Sequence, residues 1–134
     1  MAYSPRGIRN NNPGNIRHGD SWQGLALNQS DSDFCVFTSP EYGIRAMARI
    51  IINYRKRHGI STIHGIISRW APPSENNTEA YIRAVSDACH VQPTDVIDVK
   101  EYLPDIISAI IKHENGVQPY NATTLQRGIT MALK

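Results

Sequence analysis

The sequence predicts a mainly helical single domain, residues 1–134, with one small β-hairpin near its N-terminus. Three observations lead there. From Ser39 onward, apolar residues recur at helical spacing in successive segments. Those segments are separated by breaks rich in Gly, Pro and Asn. The first third is instead dense in turn formers and holds one compact aromatic and apolar run, Phe34-Cys35-Val36-Phe37. A chain of 134 residues suits one core, and 40% hydrophobic against 19% charged residues is too apolar for a disordered chain.

Asn10-Asn11-Asn12-Pro13-Gly14-Asn15 favours turns and left-handed conformations. Leu25 to Phe37 has a polar middle, Asn28 to Asp33, between apolar flanks, the pattern of a hairpin whose return strand is Phe34–Phe37. Ser39-Pro40-Glu41 combines a capping hydroxyl, a proline at the first helical position and a first-turn carboxylate. The helix it opens carries Ile44, Met47, Ala48, Ile51 and Tyr54 on one face and stops at Gly59 after a basic last turn. A second helix runs from about Thr62 to Arg69, burying Ile63, Ile66 and Ile67, and Trp70-Ala71-Pro72-Pro73 breaks it. Thr78 is expected to cap a third helix, Glu79 to Ala88, and Thr94 a short turn. A fourth spans Leu103 to Asn115 before Gly116, and a last one Thr124 to Leu133.

Several function classes recede. The apolar runs, such as Ile50-Ile51-Ile52, are too short to span a membrane, and Met1 to Arg9 is not a secretory signal, so no membrane insertion is expected. The histidines and cysteines lack metal-ligand spacing, so neither a metal nor any other cofactor is expected. Cys35 and Cys89 read as small buried thiols rather than a disulfide. A net charge of +2 suits a polyanionic surface but not a dedicated nucleic-acid binder. Arg45, Arg49, Arg55, Lys56 and Arg57 spread around their helix, so no nucleic-acid partner is expected, and a steep salt dependence of DNA binding is the sign that would contradict this.

One residue breaks the structural pattern. Leu103, Ile107, Ile110 and Ile111 form a stripe whose next position is Glu114. Continuing a core-facing stripe makes its charge costly to desolvate, and the last helical turn disfavours negative charge. Both effects favour the protonated form, which a glycosidase uses to protonate a leaving oxygen. The alternative is a frayed helix end that turns Glu114 to solvent or to a nearby Arg. Trp22, Tyr42, Tyr54, Trp70, Tyr81, Tyr102 and Tyr120 are suited to stacking on sugar rings as well as to core packing. Tyr120, just past Gly116, is best placed to border a cleft at Glu114.

Two blocks carry a family resemblance. Asn11-Asn12-Pro13-Gly14-Asn15-Ile16-Arg17, then Trp22 and Gly24, Phe34 and Phe37, and the helix opening Pro40-Glu41-Tyr42-Gly43-Ile44 resemble bacterial glucosaminidases of the lysozyme superfamily. Ala109-Ile110-Ile111-Lys112-His113-Glu114-Asn115-Gly116 is similar to the helix bearing that superfamily's catalytic glutamate. The whole chain also resembles phage and prophage virion proteins that share Arg9 to Arg17 and Arg69 to Pro73. The resemblance implies an α+β lysozyme-like fold that cuts the glycan strands of peptidoglycan. Glu114 would be the general acid, and Asn11, Asn12, Trp22 and Tyr120 would bind substrate.

In the family the glutamate helix precedes the Asn-Asn block; here it follows. A circular permutation reconciles the two, provided that the termini lie close together. The resemblance leaves a second carboxylate open between Asp31 and Asp33 in the expected hairpin, which also read as solvated tip acids. Glu41 explains itself as a first-turn residue, and Glu75 is a loop acid able to contact a glycan. A virion-associated location, or delivery to the bacterial periplasm, follows from the resemblance, with other virion components as partners. The rival reading is a non-catalytic virion or assembly protein that keeps the fold.

Overall fold

The computed structural model describes residues 4–74 and 76–134. Glu75 lies outside the described residues. Among these the chain is mainly helical and forms one compact domain with six helices: α1 (Arg6–Arg9), α2 (Pro40–His58), α3 (Ile63–Trp70), α4 (Thr78–Cys89), α5 (Val99–Asn115) and α6 (Ala122–Leu133). None is long and apolar enough to cross a membrane.

Helix α2 begins as its sequence dictates, with Ser39 extended at the N-cap and Pro40 at the first position, although the Ser39 hydroxyl makes no capping bond. Gly59 ends it in the left-handed region, donating its N–H to the Arg55 carbonyl at 3.1 Å. Thr62 caps α3 by accepting from the Gly65 N–H at 3.0 Å. For α4 the expected cap shifts, and α6 starts earlier than expected. Asn77, not Thr78, accepts from the Ala80 N–H, and Asn121 caps α6 by accepting from Thr124, so that helix starts at Ala122. Thr78 instead donates its hydroxyl to the Ala71 carbonyl at 2.7 Å, tying α4 to the end of α3. Helix α5 starts at Val99 rather than Leu103, because buried Val99 extends the apolar stripe by one more turn. Pro104 therefore sits inside it, one turn after exposed Lys100, whose carbonyl receives no bond from the proline.

The small hairpin expected over Leu25–Phe37 is not formed. Two isolated antiparallel bridges stand in its place, Arg17 with Phe34 and Leu25 with Phe37. The physical reason is that the backbone of 33–38 divides its partners. His18 N–H donates to Asp33, Cys35 N–H to Ile16, Ala26 N–H to Val36, Phe37 N–H to Asn10 and Thr38 N–H to Gly24. No single neighbouring strand receives enough of these bonds to build a ladder. Side-chain amides complete the pairing. Gln29 bonds the Ala26 carbonyl and both the N–H and the carbonyl of Val36.

The core is a single cluster centred on α2 and α5, with Ile44, Met47, Ile51, Leu103, Ile107 and Ile110 fully buried. Helix α2 packs chiefly on α6, and α5 on α4. The α2–α6 approach is close because Gly128 lacks a side chain: a Cβ there would lie 2.6 Å from Ile44 Cγ2. Gly43 does the same for the N-terminal loop, since a Cβ there would lie 2.1 Å from the Asn11 carbonyl oxygen. Both cysteines are free and buried, as their isolated apolar positions predicted.

Candidate active site

Glu114 ends α5 half-buried, neither frayed nor paired with an arginine. Its Oε2 accepts the Tyr81 hydroxyl at 2.7 Å and its Oε1 accepts Asn15 Nδ2 at 3.1 Å. Helix α4 supplies Tyr81 from its buried face, where His113 stacks on the ring at a centroid distance of 3.8 Å. Asn15 comes from the loop before Ile16, in the left-handed region at φ 51°. The neighbouring Asn115 Nδ2 donates to the Pro13 carbonyl at 2.8 Å, docking the same loop on the end of α5. The Asn-rich block and the glutamate helix thus meet.

Gly7 makes this meeting possible. A Cβ on it would lie 2.6 Å from Asn115 Oδ1, 2.8 Å from Asn15 Oδ1 and 2.9 Å from the Asn12 carbonyl oxygen. Both amide oxygens are buried without a hydrogen-bond partner among the described residues, on the side where a Gly7 side chain would project. Gly7→Ala is expected to swing both amides off their partners and to cost about 1–3 kcal/mol, measured as a lower urea midpoint at unchanged m-value.

Tyr81 remains a donor at any ordinary pH. Burial first, then the charge of Glu114 and the hydrogen bond to it, push its phenol far above the usual range. Burial also pushes Cys89 up to about 11, with Asp105 adding to it. Tyr120 is pushed up to about 12, by burial and then by Glu41. Raised values mean that the fold keeps protons which the unfolded chain releases. The resulting stability is full below the unfolded values, ~8.5 for Cys and ~10 for Tyr, and is lost as pH rises through the folded ones. Thermal melts should therefore fall steadily from about pH 9 to pH 12. Tyr81→Phe should flatten the upper part of that fall while lowering the neutral-pH melting temperature.

The other expected site residues have different partners. Asn12 is fully buried, with Nδ2 donating to the carbonyls of Ile16 and Cys35 and Oδ1 accepting from the Ile16 N–H. It holds the loop internally and is no substrate wall. Asn11 Nδ2 is similarly committed to the Phe37 carbonyl. Asp31 and Asp33 gather at Arg6: Asp31 receives Nε and Nη2 of Arg6 at 2.6 Å each, and also Asn10 and the N–H groups of Asp33 and Phe34. The Arg6 guanidinium holds the Asp31 carboxyl well below the usual carboxylate range. Tyr120 packs against the core within reach of the Glu41 charge. Arg49, one of the basic residues of α2, bonds the Ala132 carbonyl at 3.1 Å and so ties α2 to α6.

A groove reaches the groups that hold Glu114. A cleft of about 260 Å³ is lined by Gly14, Asn15, Ile16, Arg17, Ile50, Tyr54 and Trp70. Asn15 bonds Glu114, and Trp70 lies beside the Tyr81 hydroxyl. Ile50 and Tyr54 also line an adjoining pocket of about 430 Å³ that contains Trp22. Trp22 thus belongs to the continuation of the groove. A larger cavity, about 820 Å³, lies between the start of α2 and α6, lined by Glu41, Arg127 and Met131 among others, away from this set. Sequence reasoning named Tyr81 only among the aromatics suited to sugar stacking and Asn15 only within the Asn-rich block, and assigned neither to Glu114. The left-handed Asn before an apolar residue, and an aromatic with a polar tip on the buried face of α4, were the available signals.

No family model matches the chain. It is 41% identical over 127 residues to Protein P5 of Pseudoalteromonas phage PM2, an alignment covering 92% of this chain and 79% of that protein. At that identity and coverage, the chain belongs to the family of phage PM2 Protein P5.

Proposed function

We propose that this chain cleaves the glycan backbone of peptidoglycan through a permuted lysozyme-like domain in which Glu114 is the general acid. The observation that carries the reading is the Glu114 carboxyl held between Tyr81 and Asn15, where the two resembling blocks meet. The protonated Glu114 transfers its proton to the glycosidic oxygen as the bond from that oxygen to the anomeric carbon breaks. The carboxylate left behind is stabilised by the donors already aimed at it, the Tyr81 O–H and the Asn15 N–H. Water then captures the anomeric centre, or a hydroxyl of the sugar does so to give an anhydro product, and Glu114 takes up the proton that is released. With Asp31 and Asp33 gathered at Arg6, the chemistry runs on one carboxylate.

A second reading is a non-catalytic virion or assembly protein. It is favoured by the phage origin of the relative and by the engagement of both Glu114 oxygens, which also serves as a structural tie at a helix end. Either role fits a virion-associated location, and delivery to the periplasm belongs to the first. The separating experiment is release of soluble glycan fragments from purified sacculi by the wild-type protein and by Glu114→Gln. Cleavage that disappears in the variant supports the enzyme; wild-type protein that releases nothing supports the assembly role.

A further inference from the structure

We propose that the groove ends in a carboxylate-binding subsite formed by Arg57 and Arg69, which selects the acidic sugars of the glycan. The inference rests on the glycan substrate proposed above and names the chemistry that the second half of the groove recognises. Arg57 and His58 come from the last turn of α2, and Arg69 comes from the last turn of α3, yet all of them line the same pocket of about 430 Å³. A basic last turn by itself only complements a helix dipole. Arg55 and Lys56 belong to that same turn and do not line this pocket, so the convergence from two helices is selective. Among the described residues neither arginine joins a salt bridge, and Asp20 is the one acidic residue of the lining.

The Arg69 guanidinium lies 5.6 Å from the centre of the Tyr54 ring, which fixes the cation over an aromatic surface shared with the cleft at Asn15. A strand lying along Ile50 and Tyr54 therefore meets an aromatic platform beside Arg17 first and the Arg57 and Arg69 donors next. Guanidinium groups recognise carboxylates through paired N–H donors. Peptidoglycan carries carboxylates on alternate sugars, as the lactyl group or on the peptide stem attached through it. Chitin has a related backbone and no such charge. The subsite gives the groove a means of telling them apart.

The test uses the full chain with Glu114→Gln, so that binding is read without turnover. Four probes separate the sources: stem-bearing glycan, the same glycan with its carboxylates amidated, glycan stripped of stems so that lactyl carboxylates are free, and neutral chitin oligomers. Adding Arg57→Gln and Arg69→Gln should weaken binding to unmodified stem-bearing glycan by at least about tenfold, with no change on chitin or amidated glycan. A loss on stem-bearing glycan assigns the stem carboxylates, and a similar loss on stripped glycan shows that the subsite also takes the free lactyl carboxylate. Equal losses on charged and neutral probes, or no loss, would overturn the subsite. Should the double variant fold poorly, the single Arg57→Gln variant and the salt dependence of the parent protein give the same reading. Salt-independent binding then overturns it. Wild-type protein that cuts sacculi but treats amidated glycan as it treats unmodified glycan sinks this inference alone. Wild-type protein that neither cuts nor binds any glycan sinks the proposed function with it.

Discussion

Glu114→Gln is expected to remove measurable cleavage of sacculi while leaving the fold in place. Positioned general acids contribute ~10²–10⁴-fold, and the amide has no proton to transfer. The stability cost is small because glutamine keeps the shape and one of its acceptors. Its Nε2 meets a donor where an oxygen stood, facing either Tyr81 or Asn15, so one hydrogen bond is lost. That costs about 1 kcal/mol. Activity and melting temperature should therefore separate: the first collapses and the second moves by a few degrees. Glu41→Gln, on the first turn of α2 beside the large α2–α6 cavity, is the matched control. If Glu41→Gln abolished cleavage and Glu114→Gln did not, the acid would have to be sought at the start of α2.

Asn12→Ala should do the opposite and damage the fold itself. The side chain is fully buried and satisfies three backbone groups, the N–H and carbonyl of Ile16 and the carbonyl of Cys35. Alanine leaves the Ile16 N–H and the Cys35 carbonyl unpaired in a dry interior, while the Ile16 carbonyl keeps the Cys35 N–H, and each orphaned group costs about 1–3 kcal/mol. A loss of about 3 kcal/mol or more is expected, a large fraction of a small domain's total stability. Urea unfolding followed by circular dichroism measures it. A midpoint within experimental error of the wild type would show that water reaches this loop and replaces the amide.

The helices were legible where one residue type carried the signal unopposed. Pro40 at a helix start and Gly59 at a helix end have few other uses. The α4 and α6 boundaries slipped because Asn and Thr both cap helices, and Asn77 stands directly before Thr78. Helix α1 is too short for any period to show. The run at Phe34–Phe37 looked like a strand because it is a compact apolar flank after a polar, turn-forming middle, but pairing depends on where neighbouring backbone lies, and that was divided. At the site, Glu114 announced itself by interrupting an apolar stripe. Tyr81 and Asn15 could not, because contacts across 33 and 99 residues leave no periodic trace. Asp31 drew attention as an acid in a turn, while the cation that claims it, Arg6, lies 25 residues away.

The span of those contacts bears on how the protein comes to be folded. Closing a 99-residue loop costs only about 0.6 kcal/mol more than closing one of half that length, so the Asn15 contact is not thermodynamically extravagant. It is slow by comparison with local pairing, because long-range contacts form after the helices that frame them. A chain in which α4 has docked on α5 already brings Tyr81 to Glu114, and it still lacks Asn15, the Asn115–Pro13 tie and the cleft that this loop walls. A partly folded molecule thus carries the acid without its cradle. On the reading proposed above, its chemistry switches on only with the final docking step, so a chain halted short of it would be harmless to the glycan around it.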